Sequence, residues 1–352
     1  MRRLSLALPL VGIAPWAQAE NAQSQSQGFV QDASWSVLNR SVYDQRDFKH
    51  GGRNGAARNA YKPRNERNGK AEEWGYGLMG AFQAGFTQWL VGVGVDAHAY
   101  LGVKLDSGGG RAGKARLLAV DNDGHPQSDY SRAGAAVKLR IANTVLTYGE
   151  QRVKTPVFSA SDSRLLPETF TGFFLASEEL EALRLVAGHF TENADRNASS
   201  HGRGFAVNYS NGRQGNQVDL AGAIWSASPA FSASLYTSRY EDTWNQHYLG
   251  STLSHALDEQ RSVSLDLNLY RTTDTGKALS ERIDNTTWSL VSRYDQGPHG
   301  FSLGWQQVHG DTPFDYVSRG AIYIANAVQM SDFNGPNEKS WQARYDLDMG
   351  AY

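Results

Sequence analysis

The sequence predicts an all-β chain, a transmembrane antiparallel β-barrel, and three observations predict it. Apolar and polar residues alternate with period two, short turns alternate with long polar loops, and an export signal precedes both.

Arg2 and Arg3 form a short positive region, Leu4 to Ile13 an apolar stretch, and Ala17-Gln18-Ala19 the small-x-small pattern of a cleavage site. Residues 1–19 are therefore expected to be a removed signal peptide, and residues 20–352 one barrel domain. The apolar stretch is too short for a spanning helix. A buried N-terminal helix, the alternative, would have no use for the cleavage pattern. Removal of Arg2 and Arg3 leaves 32 basic against 36 acidic side chains, so the balance is slightly acidic and argues against a nucleic-acid partner. There are no cysteines, which excludes disulfides and thiolate metal sites. Mean hydropathy is −0.51, a value compatible with a barrel because half of each strand faces the lumen.

The clearest strand is Val91-Gly-Val-Gly-Val-Asp-Ala-His-Ala99. Val91, Val93, Val95, Ala97 and Ala99 share one face, and Gly92, Gly94, Asp96 and His98 the other. Ala133 to Ile141 repeats the pattern, with Lys138 and Arg140 opposite Val137, Leu139 and Ile141. Two more strands of this kind are Phe301 to Trp305 and Trp341 to Tyr345. Tight turns are expected at Ala84-Gly85, Ala142-Asn143, Glu181-Ala182, Ser228-Pro229, Asp258 to Gln260 and Gln296 to Pro298. Long polar loops are expected at 49–71, 105–129, 154–171, 192–214, 272–285 and 310–338. Two strands per period make about 14 in all. A soluble sandwich would also alternate, but its dry core could not hold mid-strand ionisable groups unpaired. Aromatics near strand ends (Trp74, Tyr76, Phe86, Trp89, Tyr148, Trp288, Trp305, Trp341) suit an interfacial girdle.

Motifs that would mark an enzyme or a cofactor site lack their context. Gly75-Tyr-Gly77-Leu-Met-Gly80 matches a dinucleotide fingerprint but alternates like a strand and follows a charged loop. Gly300-Phe-Ser302-Leu-Gly304 matches a nucleophile elbow, yet no helix follows it, so Ser302 is expected to be a lumen hydroxyl. Asp121-Asn-Asp123-Gly124 opens like a calcium loop, but Pro126 and Arg132 stand where glycine and glutamate are needed. The nine histidines form no ligand set; His98 is expected to pack or face the lumen. No catalytic residue, metal or cofactor is expected.

Two constellations do carry chemistry. Lys138 and Arg140 are two apart on one strand, so they stack about 7 Å apart as cationic steps for an anion. A solvated sheet face is the plainer alternative. Loop 154–171 sets Val157, Phe158, Leu165 and Leu166 among Ser159, Ser161, Asp162, Ser163 and Arg164. Four large apolar groups suit a loop folded onto the inner wall, where its polar groups narrow the path.

Several segments are similar to those of the OprD family of substrate-specific outer-membrane porins. They include Gly28-Phe-Val-Gln-Asp32, Gly85-Phe-Thr-Gln88, Val91 to Asp96, Pro156 to Pro167, Ala187-Gly-His-Phe-Thr191, Val308-His-Gly-Asp311, Ser331 to Pro336 and Ser340 to Asp346. The resemblance runs from about residue 28 to the last residue. Pro313-Phe-Asp-Tyr316 and the two closing motifs look most like the branch associated with basic amino acids and carbapenems.

The resemblance implies an 18-stranded monomeric barrel, placed in the outer membrane by barrel-assembly machinery and narrowed by inward loops. It implies a basic ladder that guides a carboxylate, with Arg40, Lys138 and Arg140 at matching positions and Arg164 in the matching constriction loop. Asp96 on its strand's polar face, with Asp311, Asp315 and Tyr316, is expected to form an opposing acidic and hydroxyl wall. Departures are Thr147, where a basic residue is usual, and Asn245, where an arginine is common. The chain also stops at Met349-Gly-Ala-Tyr352, inside a segment that the family continues by about four strands. An open edge in lipid would cost several kcal/mol per unpaired amide.

The expected function is passive diffusion of small carboxylate-bearing solutes, such as basic amino acids, small peptides and carbapenem-type antibiotics. The competing expectations are a secreted, soluble all-β carbohydrate-binding protein or hydrolase, and a truncated, non-conducting remnant of a porin.

Overall fold

Strand follows strand as hydrogen-bonded neighbours along the chain. The computed structural model describes residues 21–209, 215–328 and 331–351; the expected signal peptide at 1–19 lies outside the described residues. The strands are β1 (Ser34–Asp47), β2 (Lys70–Gln83), β3 (Gly92–Asp106), β4 (Asp129–Ile141), β5 (Thr144–Gln151), β6 (Thr169–Leu180), β7 (Leu183–Ala194) and β8 (Gly202–Arg203). Then come β9 (Val218–Ser228), β10 (Phe231–Tyr240), β11 (Trp244–Ala256), β12 (Arg261–Asp274), β13 (Asp284–Gln296), β14 (His299–His309) and β15 (Lys339–Leu347). Fourteen strands pair antiparallel in chain order, and two-residue β8 pairs with β7 off that path.

The wall sorts its side chains as the period-two pattern demands. On β3, Gly92, Gly94, Tyr100 and Gly102 are covered, whereas Val93 and Leu101 are exposed on the other face. The same outward exposure recurs at Val137, Leu139 and Ile141 on β4, Leu265 on β12, Leu290 on β13 and Leu303 on β14. A soluble protein does not display so continuous an apolar surface. In a bilayer each such side chain is withdrawn from water, worth about 1.5–3 kcal/mol for a Val, Leu, Ile or Phe. Both glycine-containing motifs lie within straight strands, Gly75–Gly80 in β2 and Gly300–Gly304 in β14. Asp121 Oδ1 accepts the amides of Asp123 (3.1 Å) and His125 (2.7 Å), which is turn chemistry.

The buried core sits on the inner face, where loops fold against the wall. One cluster joins Phe158, Phe170, Phe190, Phe205, Tyr240, Trp244, Tyr270 and Phe314. A second joins Met79, Tyr100, Leu117, Leu118, Tyr130, Leu165 and Leu166.

Two-residue turns link β4 to β5, β6 to β7, β9 to β10 and β13 to β14. Left-handed φ at Ala142 (48°), Ala182 (58°) and Gly297 (54°) fits the turns whose twist matches a hairpin. Ala84-Gly85 is not a tight turn: the β2–β3 connection spans 84–91 and takes hydrogen bonds from Gln23 to the carbonyls of Thr87 (2.8 Å) and Trp89 (2.7 Å). Between β10 and β11 only Glu241 to Thr243 intervene, a short link on the long-loop side that the sequence pattern did not signal. The strands also run a few residues past the expected loop limits, since their polar ends keep pairing after the apolar face has ended.

Candidate functional site in the lumen

Even-numbered residues of β4 face inward, so Arg132, Lys138 and Arg140 stand on one strip of wall. Lys138 Nζ lies 2.5 Å from Asp96 Oδ1 and donates to the Ala84 carbonyl at 3.2 Å. Asp96 is on β3, hydrogen-bonded to β4, with Ala136 as its register partner. It therefore belongs to the same wall as the basic residues and not to an opposing one; two inward residues on adjacent strands cannot face each other across a lumen. Arg140 Nε donates to Gln23 Oε1 at 2.8 Å, and its guanidinium carbon lies 4.1 Å from the Phe86 ring centroid. Lys138 is 5.1 Å from the same ring. Phe86 thus covers cations instead of joining an interfacial girdle.

Residues 152–168 lead from β5 to β6 and fold inward because Val157, Phe158, Leu165 and Leu166 are all buried. Phe158 stacks on Phe170 (4.1 Å between centroids) and packs near Phe190 (5.1 Å) and Phe205 (5.6 Å). Leu165 and Leu166 join the second cluster, with Val42 of β1 packed against it. Between these anchors Asp162 is exposed and held from two sides. Arg40 Nη1 donates to its Oδ1 at 2.9 Å and Arg152 Nη2 to its Oδ2 at 2.7 Å. Arg40 also donates to the Arg164 carbonyl. Arg164 itself is half-buried, with Nε bonded to the Ala115 carbonyl at 2.9 Å.

Of the five polar residues expected in this loop, Asp162 and Ser163 are exposed, while Ser159 and Ser161 are buried. Arg196 Nη1 donates to the hydroxyls of Ser161 (3.1 Å) and Ser163 (3.2 Å). Ser161 therefore fastens the loop, and neither it nor the buried Ser159 lines the path. Glu168, fully enclosed, accepts the Ser161 amide at 3.1 Å, the Ser318 hydroxyl, and Asn193 Nδ2 at 3.4 Å. Burial pushes its carboxyl up to about 7. Burial, with Arg164 adding to it, brings the Arg196 guanidinium down to about 10, so it stays charged.

The expected acidic and hydroxyl wall is not one surface. Asp315 is buried and its Oδ1 accepts the amides of Asn208 (3.0 Å), Tyr209 (3.1 Å) and Tyr316 (2.8 Å), so it shapes the loop 310–338. Tyr316 Oη donates to Asp332 Oδ2 at 2.9 Å, where Tyr209 Oη also donates at 2.5 Å. Burial and that carboxylate hold both phenols well above their usual range. Asp311 is exposed at the start of the same loop and accepts from Asn337 at 3.2 Å. A buried aspartate among amides is spent on loop geometry, which its sequence position does not disclose.

Four further residues matter. Arg132 shares the parity of Lys138 and Arg140 and was legible on that ground; it donates to the carbonyls of Pro167, Asp195 and Ala198. Arg152 and Glu168 bracket the inward loop but sit outside any alternating segment. Glu73 on β2 is buried and accepts four amides of the loop between β3 and β4: Gly113 (2.8 Å), Ala115 (2.9 Å), Leu117 (3.0 Å) and Leu118 (3.1 Å). Nothing in the sequence signals those contacts, about 40 residues away in chain. Among the described residues no group of three or more His, Asp or Glu is arranged to hold a metal ion.

A succession of fourteen antiparallel strands, apolar on one face and polar on the other, with loops folded against the polar face, defines a diffusion pore of the outer membrane. The chain belongs to the OprD family: the family model described as outer membrane porin, OprD family, matches residues 27–352. Porin D of Pseudomonas aeruginosa is 44% identical over 340 residues, 94% of this chain and 72% of that protein. The improved crystal structure of Pseudomonas aeruginosa OprD superposes with a TM-score of 0.76 at 38% identity, covering 96% of this chain and 75% of that one. The crystal structure of Pseudomonas aeruginosa OpdK with vanillate gives 0.80 at 30% identity, covering 92% and 79%. The protein is an outer-membrane porin for small solutes, and proteins of this family are channels, not enzymes.

Proposed function

We propose that this porin selects small solutes that carry a carboxylate together with a positive group, with basic amino acids and small peptides first among them. Two observations support this reading: the charged clasp at Asp162, gripped by Arg40 and Arg152, and the inward strip of β4 that bears Lys138 and Arg140. A solute carboxylate can exchange with Asp162 for the arginines, and its ammonium or guanidinium can meet the exposed Asp162 in turn. Vanillate, the molecule in the OpdK structure, is an aromatic carboxylate, which supports an anionic group as the common element. Carbapenem-type antibiotics carry the same group. In this reading residues 20–352 act as one monomeric barrel domain delivered by a cleaved signal and barrel-assembly machinery.

The test is liposome swelling with the reconstituted protein in arginine, small carboxylates and neutral sugars of matched size. Lys138→Ala with Arg140→Ala should slow the carboxylates and arginine more than the sugars. Equal slowing of all solutes would overturn the role of the basic strip.

A further inference from the structure

Charge is distributed unevenly on the long-loop side. The connection 48–69 between β1 and β2 carries six lysines and arginines against the single acid Glu66, in a chain where acids slightly outnumber bases. Among the described residues only Lys49 of the six has an ion-pair partner, Asp47. The rest form no ion pair among the described residues and outnumber Glu66 and the nearby Asp123, an arrangement that favours an external anion.

The loop is also built. Asn54 and Asn59 are buried and bind backbone carbonyls of the next loop: Asn54 Nδ2 to Arg111 at 3.0 Å and Asn59 Nδ2 to Gly110 at 2.6 Å. The Arg58 amide donates to the Gly124 carbonyl at 3.0 Å, and left-handed Gly124 (φ +78°) lets the two backbones touch. Between these loops lies a cavity of about 250 Å³ lined by Arg58, Lys104, Ser107 and His125 among others. Arg58 Nη1 is 3.0 Å from His125 Nε2, which holds the guanidinium in place. Lys104 reaches only a long 3.4 Å contact to the Pro126 carbonyl. A second hollow, lined by Tyr61, Lys62 and Asp123, adjoins at Arg58 and His125.

We propose that this cleft between the first two long loops binds a phosphorylated sugar of an outer-leaflet glycolipid. Arg58 and Lys104 supply charge-assisted bonds to the phosphate, and Ser107 and the rim hydroxyl of Tyr61 suit sugar hydroxyls. The volume accommodates one sugar phosphate. A headgroup is favoured over a passing solute because a pore needs weak, transient sites along its path, whereas this cleft is rigid and multiply cationic. Long loops of such barrels lie on the outside, among those headgroups.

The test is calorimetric titration of the detergent-refolded full chain with deacylated lipopolysaccharide core oligosaccharide. Parallel arms use the same oligosaccharide after phosphatase treatment, and inorganic phosphate alone. The phosphorylated oligosaccharide should bind and the dephosphorylated one should not. Arg58→Gln with Lys104→Gln should weaken binding by about tenfold or more, while Arg58→Lys retains part of it. The control pair Lys49→Gln with Lys277→Gln removes the same charge from cations already paired to Asp47 and Asp242, and should leave binding intact. Equal binding of both oligosaccharides, equal loss in the control pair, or inorganic phosphate binding as tightly as the oligosaccharide would each overturn the proposal.

Discussion

Arg40 on β1 and Asp162 in the inward loop are 122 residues apart in sequence and 2.9 Å apart in space. Arg152 takes the other carboxylate oxygen at 2.7 Å. The loop is thus tied to the first strand and to its own base through one acidic side chain. Its apolar residues hold it against the wall between those ties.

Replacing that acid separates transport from stability. Side chains of Arg40 and Asp162 are 24% and 34% exposed, so solvent screens the pair and Asp162→Asn should change stability by no more than about 1 kcal/mol. Two arginines then face the lumen uncompensated, and reversal-potential measurements in a salt gradient should move toward anion preference. A shift toward cations would be inconsistent with the clasp.

Phe158 is the mechanical anchor. Phe158→Ala removes a ring packed against three others and should cost the loop's docking about 3–5 kcal/mol. Larger single-channel conductance and faster proteolysis between residues 152 and 168 are expected, with the strands unaffected. Unchanged conductance would show that the loop is held elsewhere.

Glu168 links this loop to Ser318 and Asn193. Its carboxyl titrates near 7 instead of the ordinary 4.5, so the folded protein binds the proton more tightly than the unfolded chain. The stabilisation is therefore complete below about 4.5 and is lost as pH rises through about 7. Deuterium uptake by residues 152–168 should increase over that window. Glu168→Gln should flatten the profile, and an unaltered profile in that variant would assign the pH dependence to another group.

The outer face gives a folding prediction. Leu303 points outward and Gln342 inward, where Gln342 Nε2 bonds the Ala325 carbonyl at 2.7 Å. Leu303→Arg should destabilise the inserted barrel by up to about 2–4 kcal/mol, whereas Gln342→Ala should leave insertion intact and loosen only the loop 310–338. Urea titration in phospholipid vesicles measures both.

By itself the sequence determined the wall. Alternation through Val91–Ala99 and Ala133–Ile141 assigns each side chain to lipid or lumen, because successive residues of a strand point to opposite faces. Lys138, Arg140 and Arg132 are all placed inward by that rule alone. The four apolar residues of loop 154–171 likewise disclosed that it folds inward. Tertiary structure alone decided which charges are available. Asp96 and Asp315 looked alike as candidate acids, yet one pairs with Lys138 across a strand boundary and the other is consumed by three amides. Asp162, Arg152, Glu168 and Glu73 acquire partners across loops and between strands. The physical reason is range: period two is a local property of one strand, whereas a carboxylate's partners depend on where distant loops come to rest.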